Sequence, residues 1–216
     1  MSTAASTIDI ASRRADVVAG HDIAHEPVSR LGLPEESALP PHAAELFERF
    51  RRQYGFVPNW LAALAVNPDT AWRLVAFYEH LFDPHRSRLT AAERELIAVV
   101  TSAANTCSYC VFNHTQSLAT ALGDTVRAQR IAQGWHHVRL DPKEAALAGI
   151  AEQLTREPGL VDDGALQRLR DLGFTREAVV EILEISAFFN YANRLTIALN
   201  VVPDDQFFSG RDLETS

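Results

Sequence analysis

From Pro40 to Leu199 the chain repeats one pattern: a helix-starting signal, apolar residues three and four places apart, then a glycine, asparagine or proline stop. No stretch between turn signals shows the two-residue alternation that a half-buried strand requires. The expectation is therefore an all-α protein. Prolines from Leu33-Pro34 to Pro40-Pro41 mark an extended connector. His42 to Tyr54 then reads as a helix with Ala44, Leu46, Phe47, Phe50 and Tyr54 on one side and Gly55 as its stop. Pro58 opens a short segment, Asn67-Pro68-Asp69 reads as a turn, and a helix follows from Thr70 to about Phe82. Thr90-Ala91-Ala92-Glu93 is a capping-box sequence that starts a helix with Leu96, Ile97, Val99 and Val100 as its buried stripe. Asn105-Thr106 interrupts it, and a new helix runs from Cys107 to Leu122. Gly134 to Leu140 reads as irregular, with His136-His137 in a surface loop. Further helices are expected over 142–156, 162–172 and 175–199.

Residues 1–26 show no sustained period and read as a mobile tail or an arm packed on a partner subunit; 27–205 read as one helical domain and 206–216 as a C-terminal tail. The helix starts at Leu89-Thr90 and Phe174-Thr175 lie 85 residues apart, which hints at an internal duplication. One half would span about 42–123, and a degenerate half without matching Cys or His would span about 141–205. The net charge of −8 includes no basic stripe able to neutralise phosphates, which weighs against a nucleic-acid partner. No apolar run is long enough to span a membrane, and the first twenty residues lack a secretory core. The reading is a soluble cytoplasmic protein.

Two cysteines occur in 216 residues, and they sit three apart in Cys107-Ser108-Tyr109-Cys110, with His114 four residues on and Glu95 twelve residues upstream of Cys107. Helical positions three and four apart share a face, so both thiols and the imidazole are expected to converge. Such a pair is close enough to form and reopen a disulfide. The first turn of a helix favours a thiolate, and His114 is placed to take the proton of Cys110. Glu95, on a mostly apolar helix, is the carboxylate chosen to hold that imidazole.

The spacing Glu95, Cys107-x-x-Cys110, His114 resembles the signature of the AhpD-like alkylhydroperoxidases in the carboxymuconolactone decarboxylase superfamily. The segments Gly55 to Asn59, Thr101 to Asn105 and Ala187 to Leu195 resemble its peroxidase-related branch. The resemblance implies an all-helical AhpD-like bundle that self-associates and reduces a peroxide substrate, with a separate thiol or dithiol reductant and no cofactor. It assigns Cys110 as the peroxidatic cysteine that becomes sulfenic acid and Cys107 as the resolving one, with Glu95 and His114 relaying protons. The family's better-studied members carry a histidine immediately before the second cysteine. Here that place is Tyr109, whose phenol cannot serve as a base near neutrality.

Two other functions compete with this one. The dithiol could exchange disulfides without using peroxide, or Cys107, Cys110 and His114 could hold a metal with Glu95. No metal site is assigned, because three ligands within so short a stretch are cramped for a tetrahedron. Tyr109 and Phe112 are read as cavity walls; Trp60, Trp135, Phe188, Phe189 and Tyr191 as core or interface; and Arg194 as half of a structural ion pair.

Overall fold

Nine α-helices and no strand are found among residues 27–206, the part of the chain that the computed structural model describes. The expected arm at 1–26, and the C-terminal tail beyond Gln206, lie outside the described residues. The helices are α1 (Pro41–Tyr54), α2 (Asn59–Leu64), α3 (Pro68–Phe82), α4 (Ala91–Ala104), α5 (Ser108–Leu122), α6 (Thr125–Gly134), α7 (Pro142–Arg156), α8 (Asp163–Asp171) and α9 (Arg176–Leu199).

Local chemistry accounts for most of the starts. The Thr90 hydroxyl accepts the Glu93 N–H at 3.2 Å while the Glu93 carboxylate accepts the Thr90 N–H at 2.7 Å, so the capping box forms as read. Asp141 and Glu144 do the same for α7 at 2.9 and 2.8 Å. Gly55, at φ 83°, supplies the left-handed residue that stops α1.

Three local expectations need correction. Asn67-Pro68-Asp69 is the start of α3 itself, with Asn67 capping and Pro68 in the first helical position. Residues 125–134, which received no element, form α6 behind the cap of Asp124 on the Arg127 N–H at 2.9 Å. Only Ala128 and Ile131 of that helix are buried, so its apolar stripe is too thin to register. Trp135–His137 forms a short 3-10 turn in which His136 stacks on Trp135 and pairs with Glu152 at 3.2 Å.

The centre of the molecule is α4. Every residue from Arg94 to Ser102 is buried, so the expected stripe is in fact the whole circumference, enclosed by α5, α7 and α9. Truncating a side chain such as the fully buried Ile97 to alanine removes packing worth about 2–5 kcal/mol. Glu95 is therefore embedded in the best-enclosed helix of the fold.

Between α4 and α5 the chain turns back through Thr106, held at φ 58°, a left-handed conformation that β-branched residues rarely adopt. The Cys107 N–H then donates to the Ser102 carbonyl at 3.0 Å. Cys107 is consequently the N-cap of α5 and not part of its first turn, while Cys110 occupies the third helical position. The two remain neighbours, because a cap side chain lies over the first turn.

Polar side chains of α9 meet this junction. Thr101 and Ser186 bond at 3.1 Å, and the Asn105 amide donates to Asn190 and Asn193 at 3.0 Å each. Beyond α9, Asn200 at φ 51° reverses the chain, so that Val201–Asp204 runs back across the start of α5. There the Val202 N–H donates to Val28 at 3.1 Å, and the Arg30 N–H to Leu199 at 2.8 Å. Arg194 is exposed, and its guanidinium donates to the backbone and side-chain oxygens of Asn190 at 2.6 Å; no carboxylate partner is found among the described residues. The expected ion pair is replaced by a bond within one helix, since the side chain points to water and needs no counter-charge.

Candidate active site

The four residues singled out from spacing do converge. His114 is one turn beyond Cys110 on α5, and its Nδ1–H donates to Glu95 Oε2 on α4 at 2.8 Å. Both are buried, His114 at 7% and Glu95 at 6% exposure, so the charged pair is shielded from water and weakly screened. Engaging Nδ1 leaves Nε2 as the nitrogen available to the thiol. The ring is held edge-on against Phe189, with centroids 4.6 Å apart, and Tyr78 and Phe82 lie further out. Burial opposes the imidazolium, but the charge and hydrogen bond of Glu95, and then Cys110, outweigh it and raise the pKa of His114.

Both cysteines are free thiols. Their environments push them apart. The Cys107 thiol donates to Cys110 and is buried, and both effects drive its pKa upward. Cys110 is drawn down from 9.0 to about 7, first by the hydrogen bond from Cys107; burial opposes this, while His114, Asn193 and Thr196 assist. Cys110 is thus the more acidic thiol of the pair, and Cys107 the donor beside it.

A cavity of about 310 Å³ opens onto this site. Cys110 and His114 form part of its wall with Phe50, Trp60, Tyr78, Phe188 and Phe189, and Gln53, Glu79 and Asn113 add polar groups. Cys107 and Glu95 are not among its lining residues. A small organic molecule with an apolar body and one reactive polar end suits such a wall. Tyr109 lines the cavity as expected, but Phe112 does not. On α5, position 112 is about 200° away from the face that carries Cys110 and His114. Trp60, Phe188 and Phe189, read as core or interface, also serve as cavity wall.

Three contributors escaped the sequence reading. Asn193, fully buried, donates to Ser102 Oγ at 3.1 Å, accepts from Asn105, and with Thr196 supports the Cys110 thiolate. Asp204 accepts the Tyr109 hydroxyl on one oxygen and the Asn59 N–H at 2.7 Å on the other. Burial raises its carboxyl above the usual range against these bonds. A signal existed for Asn193, an amide four residues after Phe189 and so on the same face of an apolar helix. Asp204 gave none. Among the described residues no group of three or more His, Cys, Asp or Glu is arranged to hold a metal ion, and no helix is long and apolar enough to cross a membrane.

Fold and site together define a helical dithiol protein in which the cavity-facing cysteine is backed by a buried histidine–glutamate pair. The model of the carboxymuconolactone decarboxylase family matches residues 68–153. The crystal structure of an alkylhydroperoxidase AhpD core, an uncharacterised peroxidase-related protein from Ralstonia eutropha JMP134, is 33% identical over 85% of this chain and 96% of that one, with a TM-score of 0.80. An uncharacterised peroxidase-related protein from Silicibacter sp. TM1040 is 29% identical over 85% and 96% of the two chains, with a TM-score of 0.78. The apo debrominase Bmp8, 18% identical over 86% and 96% with a TM-score of 0.68, shares the fold. No curated protein matches the chain. The chain belongs to the AhpD-like proteins of the carboxymuconolactone decarboxylase superfamily.

Proposed function

We propose that the protein is a thiol-dependent peroxidase that turns over an organic peroxide at Cys110. The observation that carries this is the asymmetry of the dithiol: Cys110 faces the cavity with its pKa lowered, and Cys107 stands behind it protonated. In the first step His114 takes the Cys110 proton, and the thiolate attacks the terminal oxygen of a hydroperoxide. The O–O bond breaks, an S–O bond forms, and the alkoxide leaves as an alcohol with the proton from His114. Glu95 holds the imidazole and stabilises its charged form. Cys107 then attacks the sulfenic acid of Cys110, a disulfide forms, and water leaves. Two thiol equivalents restore the dithiol by exchange.

The test mixes reduced protein with an organic hydroperoxide and follows free thiols. Both cysteines should be consumed in the wild type, and sulfenic acid should be trapped in Cys107→Ser but not in Cys110→Ser. If the thiols persist while peroxide is present, the proposal fails.

A second reading, disulfide exchange without peroxide, gains from Tyr109. This residue stands where better-studied relatives have a histidine, and its hydroxyl is engaged by Asp204, with burial pushing its pKa up. Rapid oxidation by a disulfide donor combined with inertness toward peroxide selects that reading. A cytoplasmic setting, where thiols stay reduced, suits either chemistry, as does self-association. The same proposal includes two helical units, about 42–123 and 141–205, with chemistry in the first alone. Its support is that Thr101–Ser186 and Asn105–Asn190 both join positions 85 residues apart, the offset between the two helix starts.

A further inference from the structure

The two sulfurs differ in access. Both pack in one small apolar cluster with Ala63, Tyr109 and Val201, edged by Trp60 and Leu199, but Cys110 also belongs to the cavity wall, whereas Cys107 is 1% exposed and does not line the cavity. Val201 comes from the segment that follows α9, which lies over this cluster. Among the described residues, five hydrogen bonds fasten that segment: the Val201 N–H donates to the Thr196 carbonyl at 3.1 Å, Asp204 takes the Tyr109 hydroxyl and the Asn59 N–H, the Asn59 amide donates to the Val202 carbonyl at 2.9 Å, and Val202 bonds to Val28. Tyr109 lies between the two cysteines in the chain, so one fastening grips the dithiol turn itself.

We propose that Val201–Asp204 is a gate over Cys107, and that the disulfide formed in turnover is reopened by a thiol reaching the Cys107 sulfur beneath this lifted segment, while peroxide enters through the cavity. The inference rests on the dithiol chemistry proposed above. It resolves a conflict between access and leaving-group ability. In thiol–disulfide exchange the sulfur that departs best is the more acidic thiol, here Cys110, so the productive attack falls on Cys107, the sulfur that the closed structure conceals. The reductant thiolate forms a bond to Cys107 Sγ, the Cys107–Cys110 bond breaks, and Cys110 leaves as thiolate facing His114. A second thiol of the reductant then attacks the mixed disulfide, releasing reduced Cys107 and the oxidised reductant. The proton of each attacking thiol ends on solvent or on a restored cysteine.

Asp204→Ala removes two bonds of the fastening, and Asp204 is not part of the cavity wall; Tyr109→Phe removes one. The disulfide is made with diamide, so that no peroxide chemistry is involved, and its reopening by dithiothreitol is timed. In parallel, iodoacetamide labelling of Cys107 is timed in a Cys110→Ser background, and of Cys110 in a Cys107→Ser background. Asp204→Ala should speed both reopening and Cys107 labelling about fivefold or more, as expected when a closed state loses buried hydrogen bonds, and should leave Cys110 labelling unchanged. Tyr109→Phe should speed Cys107 labelling to a smaller extent, and it decides the matter if Asp204→Ala does not fold. Unchanged Cys107 labelling in the folded variants, or equal acceleration at Cys110, overturns the gate. A protein that ignores hydroperoxide but shows the gated labelling loses the peroxidase reading alone.

Discussion

Replacing Cys107 by alanine or by serine separates the local hydrogen bond from every other influence on Cys110. The thiol of Cys107 is the foremost cause of the drop in the Cys110 pKa from 9.0 to about 7. At pH 7 a thiol with a pKa of about 7 is about half ionised, and one at its unperturbed value is about 1% ionised, so complete loss of the shift lowers the thiolate population about 50-fold. His114, Asn193 and Thr196 remain in Cys107→Ala, and a rise of about one unit is expected, equivalent to about 1.4 kcal/mol and, at neutrality, to about a fivefold loss of thiolate. Cys107→Ser retains an O–H donor and should titrate near the wild type. The assay follows thiolate ultraviolet absorbance and iodoacetamide alkylation against pH. The alkylation curves should cross: once both variants are fully ionised, the more basic thiolate of Cys107→Ala is the stronger nucleophile and reacts faster. Superimposable titrations of the alanine and serine variants refute the reasoning, as does a serine-variant midpoint at the ordinary thiol value.

Two further outcomes follow from the same geometry. Glu95→Gln should destabilise the protein by about 3 kcal/mol at and just below pH 6.5. The His114 pKa is raised in the fold, so the stabilisation is fully present below the ordinary imidazole value and is lost as pH rises through the native value. Urea unfolding of wild type and variant should therefore differ most in mildly acid buffer, and a pH-independent difference contradicts the buried ion pair. Asn193→Ala should lower stability by about 1–3 kcal/mol by removing the partner of Ser102 and one of the two acceptors of Asn105. It should also shift Cys110 alkylation to higher pH, and an unchanged alkylation profile removes Asn193 from the site.

Sequence alone was sufficient for the helices and for the four-residue constellation because both depend on short-range rules. The Thr90–Glu93 box closes within one turn, and Cys110 and His114 are brought together by the pitch of one helix that Cys107 caps. Glu95 is nineteen residues from His114, but a single chain reversal at Thr106 brings their helices together, so its contact with His114 was also legible. The thin stripe of α6 and the all-round burial of α4 were misread, because burial is decided by what packs around a helix and not by the helix itself.

Tertiary structure alone decided which sulfur faces the cavity and which is covered. Nothing in Cys107-Ser108-Tyr109-Cys110 distinguishes an exposed from a concealed thiol. The distinction comes from a cavity whose wall, with Phe50, Tyr78 and Phe188, takes in Cys110 and leaves out Cys107, placed by helices far apart in the chain. The link between Tyr109 and Asp204 spans 95 residues. Periodicity and capping are set by neighbours within a turn or two, whereas desolvation and long-range hydrogen bonds arise only when the whole chain has closed on itself.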